Sequence, residues 1–594
     1  MEYENKTDDK SSPIADVVAS EMMDRLVVVP RRGTDIVNLL ASLRYTCPSM
    51  SVRQATEGIS IPAEYSHMLL MTDGILNIQW RAEARIFAEN RKRSHEVHFS
   101  LRNKVESIKS SGVAAAKVLI ENLKGIELLD DHQIINIAAM TLPECRGLCI
   151  FDEQGTGKTV TLIFAFDLLV ELDIVDTAIV IAPKSMISEW PNDLFRFKGD
   201  LYKSVMVTGS YSEKRQKLSS EADFYVTNFE TAVSMEAELL SLIRKHNGRI
   251  ILAIDESFFV KNLDAKRTKA IRRLREWCSR AYVLCGTPAP NSPQDLVQQF
   301  NIVDFGFTFS GVKIPEEHEN ARLIVQQAME ERGIYTRHLK ENVLPNLPQK
   351  SFQRVLIPLE PIQANIYYNL LCNLITELTI TDEYTFRKTI SSFLAKRAAL
   401  LQVCSNPVSI VTPYVETPAK LKALDEIIRE IVERQREKAI IWSFYTASLN
   451  AIFARYSELS PVRYDGSVTS VLDRREAVRR FQDDDSTKLF IGNPAAAGAG
   501  LTLHRARYAI YESFSNQAAH YLQSIDRIHR RGQERNVEYI VLLCDKTVEI
   551  QEYDRLTDKE NTQHLLLGDK PIEVITRESM LVDLLKAKRL FDAK

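Results

Sequence analysis

The sequence of 594 residues contains no apolar run approaching the roughly 18–20 residues that cross a bilayer, no internal repeat and no low-complexity tract. Its eight cysteines show no CxxC pairing, which argues against a zinc ribbon or a disulfide framework and favours buried free thiols in a reducing compartment. Cys145 and Cys149 stand four apart without a second ligand pair, so core packing is expected of them rather than metal binding. Charge of one sign is also missing. A net charge of −3 excludes the globally basic surface of a nucleic-acid coat, so any nucleic-acid contact must be confined to a cleft. A soluble, intracellular protein with no membrane contact is expected.

The length exceeds what one core supports, since single cores stop growing near about 250–300 residues. Short β-rich runs alternate with amphipathic segments in two blocks. The first includes 178–182, 224–227, 250–254 and 281–284, and the second 439–442, 489–491 and 508–511. Strands between helical patterns read as parallel sheets covered on both faces, so the expected fold is α/β with two doubly wound lobes in tandem. The expected domains are an accessory region over 1–110 with a disordered start, a first lobe over 111–305, a helical connector or insertion over 306–418, a second lobe over 419–565 and a helical extension over 566–594. The basic run Arg91, Lys92 and Arg93 reads as a solvated helix face. The apolar spacing of 580–591 predicts a helix packed back on a lobe.

The chemistry lies at three places. Ile150 and Phe151 end a strand, Gly155, Thr156 and Gly157 form a loop, and Lys158 and Thr159 open a helix. Backbone N–H groups at a helix N-terminus cradle phosphates, Lys158 reaches β and γ oxygens, and Thr159 offers a hydroxyl to Mg²⁺. Asp152 stands where the usual pattern has its first glycine. Asp255 and Glu256 follow the strand 250–254, as an Mg²⁺-holding aspartate and a water-orienting glutamate should. Arg527 and Arg530 fall i, i+3 on an expected helix, and their guanidinium groups suit a γ-phosphate approached from the other lobe. A surface turn and a solvated basic stripe are the plain alternatives for the last two.

Read together and in order, these motifs resemble the superfamily-two helicase-like ATPases, and specifically the Swi/Snf-type double-stranded DNA translocases with their two RecA-like lobes. The resemblance covers about 129–550. Asp131–Gln133 resembles the glutamine motif, 152–159 motif I, 182–190 with Trp190 motif Ia, 226–231 motif Ib, and 284–291 motif III. Lys261 and Asn262 resemble the family's extension of motif II, and Thr336 and Arg337 through Lys350 its segment before the second lobe. Residues 440–446 resemble motif IV, 465–467 the motif after it, 498–503 motif V and 523–533 motif VI. One departure stands out: relatives follow the Asp-Glu pair with Ala or Gly and then His, and this chain has Ser257 and Phe258.

The resemblance implies ATP and Mg²⁺ as cofactors and duplex DNA as partner. It implies a nucleotide held by Gln133, Asp152, Gly155, Thr156, Gly157, Lys158, Thr159, Gly500 and Gln523, and DNA phosphates contacted by Lys184, Ser185, Thr227, Lys261, Asn262, Thr287 and Thr502 without reading sequence. The expected activity is ATP-driven translocation on duplex DNA that displaces bound material. A strand-separating helicase and a nucleotide-gated sensor or scaffold are the alternatives. Compact lobes without chromatin-reading attachments favour a bacterial, phage or viral cytoplasm over a nucleus, with DNA repair and defence both open.

Overall fold

The computed structural model describes residues 12–47, 51–73, 75–289, 292–315, 317–496, 501–514, 518–566 and 577–592. The start of the chain, expected to be disordered, lies outside the described residues through residue 11, and so does Gly500. The chain forms two compact units, and its main crossing between them lies between Leu339 and Lys340. Among the described residues no helix is long and apolar enough to cross a membrane.

The first unit begins with a small sheet. Strands β1 (Ala15–Ala19), β2 (Arg25–Pro30), β3 (Arg53–Ala55), β4 (Gly58–Pro62) and β5 (Ile78–Trp80) lie in the order β3-β4-β2-β1-β5, antiparallel except for the β1–β5 pair. Val17, Leu26, Val28, Ile59 and Ile61 point alternately into a core closed by Phe87 and Ala88 of the helix Ala82–Leu119. That helix crosses the boundary expected at residue 110 and bends at Gly112 instead, where φ is +76°. Its Arg91 is not solvated. The guanidinium lies over the Phe87 ring and pairs with buried Glu276, because a buried cation needs an adjacent anion, while Lys92 and Arg93 remain exposed.

The main sheet of this unit contains β6 (Gly147–Ile150), β7 (Thr177–Ile181), β8 (Ser204–Met206), β9 (Phe224–Thr227), β10 (Ile250–Asp255), β11 (Arg280–Leu284) and β12 (Tyr335–Thr336). All pairs are parallel, in the order β12-β6-β11-β10-β7-β9-β8. Every residue of β6, β7, β10 and β11 is buried, which is why these segments read as continuous apolar runs rather than alternating ones.

The second unit has its own parallel sheet of β13 (Lys350–Ile357), β14 (Ala439–Trp442), β15 (Val462–Tyr464), β16 (Leu489–Gly492), β17 (Tyr508–Tyr511) and β18 (Val537–Cys544), in the order β13-β18-β17-β14-β16-β15. Its two faces separate by period two. Ile440, Trp442, Phe490 and Tyr511 build one core, and Ala439, Ile441, Leu489 and Ile510 the other.

One correction concerns the expected connector. Residues 306–418 are divided: β12 belongs to the first sheet and β13 to the second, because each pairs backbone to backbone with a strand far away in sequence. The helices Pro361–Ile380 and Glu383–Ser405 then pack with the C-terminal helix Arg577–Asp592, whose Met580, Leu584 and Ala587 meet Tyr367, Leu371 and Leu374. All eight cysteines are unbonded, and Cys145 and Cys149 are buried.

Candidate functional site

In the first unit the motifs gather at the carboxyl ends of parallel strands, where doubly wound folds place ligands. After β6 the loop turns through Gly155 and Gly157, with φ of +83° and +87°. At Gly157 the left-handed φ favours glycine, and a Cβ there would lie 2.3 Å from Gln133 Nε2 and displace that amide. Lys158 opens the helix Lys158–Glu171, and its ammonium donates to the carbonyls of Asp152 at 2.8 Å and Glu153 at 3.0 Å. Thr156 is buried and Thr159 half-buried beside it. Gln133 braces the loop: its Nε2 donates to Gly157 O at 3.2 Å, while its Oε1 accepts from Asp130 N at 2.9 Å.

Asp152 was expected among the nucleotide-binding residues, but its carboxylate turns inward and is 1% exposed. It accepts from Asn136 Nδ2 at 2.6 Å and meets His338 Nδ1 at 2.8 Å. Burial alone would raise this carboxyl, yet the hydrogen bond and charge of His338 outweigh it and hold Asp152 below the usual carboxylate value. The strand β12 continues this bracing: Phe151 N donates to Thr336 O, Glu153 N to His338 O, and the Arg337 guanidinium to Phe151 O at 2.7 Å. The loop is therefore fastened from behind by residues more than 180 positions downstream. Asn136 carries no motif of its own, and the resemblance of 336–350 to the family's segment before the second lobe assigns no role to Arg337 or His338. The one sequence signal was Asp152 itself, since an acid in a phosphate loop requires a nearby donor.

Asp255 ends β10 with its carboxylate buried. One oxygen accepts from the Trp190 indole at 3.0 Å and the other from Glu256 N at 3.0 Å. Burial, with the neighbouring Glu256 second, pushes this carboxyl well above the ordinary range, against the pull of Trp190 and of the Lys158 charge. Glu256 is buried and adopts left-handed backbone angles (φ 51°, ψ 55°), a strain on the order of 1–3 kcal/mol of the kind that concentrates at functional sites. The departure at Ser257 has a partner: its hydroxyl donates to Gln299 Oε1 at 2.5 Å, and Gln299 Nε2 donates to Pro288 O at 2.5 Å and Asp295 O at 2.8 Å. Motifs II and III are thus joined inside this unit through Gln299, which sequence reasoning missed. Phe258 stacks on Phe259, whose ring also meets Phe229.

In the second unit, Arg527 and Arg530 are not on a helix. The helix Ala518–Ile525 ends before them, because Gln533 Nε2 gathers the carbonyls of His504, Ala506 and Ile528, and Arg527 O is taken by Leu503 N. The guanidinium groups nevertheless converge, both reaching Leu501 O, at 3.5 Å and 2.9 Å. Gln523 is buried on the preceding helix. A further residue missed from sequence is Lys340, which pairs with Asp526 and donates to His529 O at 3.0 Å, so the segment before β13 fixes this turn.

The expected DNA contacts divide. Lys184 is exposed, and Ser185 and Thr502 are half-buried. Thr227 is fully buried at the end of β9, its hydroxyl donating to Val207 O at 3.2 Å, and Thr287 is also buried, so neither offers a hydroxyl at the surface. Lys261 pairs with Asp295 at 3.2 Å, and Asn262, though exposed, accepts from Asp264 N at 2.9 Å. For Thr227, Lys261 and Asn262 the polar atoms are used within the unit, whereas the Thr287 hydroxyl is buried without a hydrogen-bond partner among the described residues.

Comparison with known proteins agrees with this arrangement. Residues 132–409 match the SNF2-related domain and residues 419–532 the helicase conserved C-terminal domain. The chain is 27% identical over 466 residues to YwqA of Bacillus subtilis, named as a candidate ATP-dependent helicase/translocase, covering 74% of this chain and 47% of that one. It is 26% identical over 460 residues to the ISWI chromatin-remodeling complex ATPase ISW1 of Saccharomyces cerevisiae, covering 72% and 39%. The Sulfolobus solfataricus SWI2/SNF2 ATPase core in complex with dsDNA aligns at 20% identity and a TM-score of 0.32, covering 77% of this chain and 96% of that one. The chain spans less than half the length of these two curated relatives. The two matched domains follow one another in the order of the motifs, and the chain belongs to the SNF2-related family of helicase-type proteins.

Proposed function

We propose that this chain hydrolyses ATP with Mg²⁺ and couples each cycle to movement along duplex DNA, displacing what is bound there. The observation that carries the reading is the pairing of the glycine loop and Lys158 with the buried, Trp190-held Asp255 at the carboxyl edge of one sheet. The residues fit both ligands. A loop with left-handed glycines leads into a helix N-terminus suited to phosphate oxygens, and both Asp255 oxygens keep a lone pair beyond their single hydrogen bonds.

ATP binding draws the Lys158 ammonium from the Asp152 and Glu153 carbonyls to the β and γ oxygens. Thr159 and Asp255 would hold Mg²⁺, which would neutralise charge developing on the phosphates. Glu256, fixed by its strained backbone, orients the attacking water and takes its proton. Arg527 and Arg530, already converged on Leu501 O, supply a fork of donors suited to the γ-phosphate. Gln523, buried on the helix before them, is assigned to the same nucleotide-binding set. Product release returns the arginines and lets the units move, and that cycle steps the chain along phosphates contacted by Lys184, Ser185 and Thr502. The family's relatives named for translocation and chromatin remodelling support duplex DNA as the track.

The test measures ATP turnover by the purified chain with no nucleic acid, duplex DNA, single-stranded DNA and single-stranded RNA, alongside displacement of a third strand from a triplex. Stimulation by duplex and triplex displacement without unwinding of a forked duplex is expected. Efficient fork unwinding would replace the reading with a strand-separating helicase, and indifference to all nucleic acids would replace it with a nucleotide-gated switch.

A further inference from the structure

A cavity of about 600 Å³ opens in the first unit between the small N-terminal sheet, the helix Ala82–Leu119 and the segment 297–310. None of the phosphate-loop or motif II residues lines it. Its volume falls among small-molecule sites, which run from about 300 to 1,000 Å³. Size alone says little, but three features of the wall are chemically specific.

Gln298 lines the cavity and is 7% exposed, yet its Oε1 is buried without a hydrogen-bond partner. Arg91, in the same wall and 6% exposed, likewise has an Nε that donates to nothing. Buried polar atoms left unpaired in a folded protein are uncommon and mark either strain or a missing ligand. Here an acceptor and a donor lie buried and unpaired in the wall of one cavity.

The second feature is charge. Arg91 and Arg272 are both buried in the wall, and one carboxylate, Glu276, pairs directly with Arg91 at 2.7 Å. Among the described residues Arg272 forms no ion pair; its guanidinium donates to Met23 O, and burial, with Arg91 adding repulsion, pushes its pKa down to about 10. The acids that line the cavity are engaged elsewhere, Glu64 accepting from Gly311 N at 3.0 Å. Asp304 accepts from the backbone N–H groups of Gly306, Phe307 and Thr308, and Asp24 is paired with Arg25. Two guanidinium groups in low-dielectric surroundings with one direct counter-ion favour an added anion.

The third feature is aromatic. The His67 and His95 rings stack with centroids 5.0 Å apart, and Phe307 packs against His95 at 5.4 Å. Such faces receive a planar ring by offset stacking.

We infer that this cavity is a second ligand site, separate from the ATP site, which takes a small anion bearing a planar ring with an N–H donor: the anion on Arg91 and Arg272, the ring against His67, His95 and Phe307, and the donor on Gln298 Oε1. A purine mononucleotide and an amino-substituted aromatic carboxylate both have this chemistry. The site does not require that the chain hydrolyse ATP.

Calorimetric titration of full-length protein with AMP, GMP and 2-aminobenzoate tests it, in a Lys158→Ala background that silences the phosphate loop. Saturable binding of a mononucleotide, of the aromatic acid, or of both is expected, and which one binds identifies the source. Gln298→Leu should weaken that binding about 10-fold by removing one hydrogen bond to a buried acceptor. Met68→Trp, which fills the cavity from the N-terminal module, should abolish it in protein that melts as the parent does. No binding of any of the three probes, or binding unchanged in both variants, overturns the inference.

Discussion

Replacing His338 by Ala tests how the phosphate loop is held. Asp152 is 1% exposed, with one oxygen on His338 Nδ1 at 2.8 Å and the other on Asn136 Nδ2 at 2.6 Å. Removing the imidazole leaves a buried carboxylate on a single amide. Breaking one side of a buried pair costs about 3–5 kcal/mol, and the remaining Asn136 bond reduces this to about 2–3 kcal/mol. In the Asp152→Asn background the charge is already gone, so His338→Ala there costs only the ordinary hydrogen bond, about 0.5–1 kcal/mol. The coupling is therefore about 2 kcal/mol, a factor of roughly 30, or a shift of about 4–8 °C in the melting of the first unit at about 2–4 °C per kcal/mol. Calorimetric melting of the two single variants and the double variant measures it, and binding of a fluorescent ATP analogue reports whether the loop follows. The sign with pH is fixed. Asp152 titrates lower folded than unfolded, so its stabilisation is complete above the unfolded value near about 4 and is lost as pH falls through the folded value; the cycle belongs at neutral pH. Additive single effects would refute the claim that His338 acts through its contact with Asp152.

Glu256→Gln should bind ATP with parental affinity and lose turnover, whereas Lys158→Ala should lose binding as well; equilibrium nucleotide binding beside phosphate release separates the two. Arg527→Ala and Arg530→Ala should each cut turnover on the order of 10³-fold with little change in ATP affinity, and near-parental turnover in both would return them to a basic surface turn. Because burial and Glu256 raise Asp255, apparent Mg²⁺ affinity should weaken as pH falls from alkaline towards the ordinary carboxylate range, the metal requiring the deprotonated group. Trp190→Phe removes a hydrogen bond that lowers this carboxyl, so the Mg²⁺ profile should move to higher pH; a profile that stays in place refutes the indole's role.

The sequence by itself determined the two-lobed α/β architecture, because strands buried on both faces are written as unbroken runs such as 178–182 and 250–254 and cannot satisfy their surface any other way. It also placed Lys158, Asp255 and Glu256, since a loop that needs left-handed glycines and acids at a strand end are local patterns. Only the tertiary structure decided the rest. Arg527 and Arg530 leave the helix their spacing suggested, because Gln533 collects carbonyls from His504 and Ala506 that no local pattern reveals. Thr227 and Thr287 are buried although their motifs suggested surface hydroxyls. Asp152 found His338, Ser257 found Gln299, and Asp526 found Lys340 across 186, 42 and 186 residues. A carboxylate's need for a donor is legible in one dimension, but its partner is chosen by which strands pair, and that choice is made only when the chain closes its sheets.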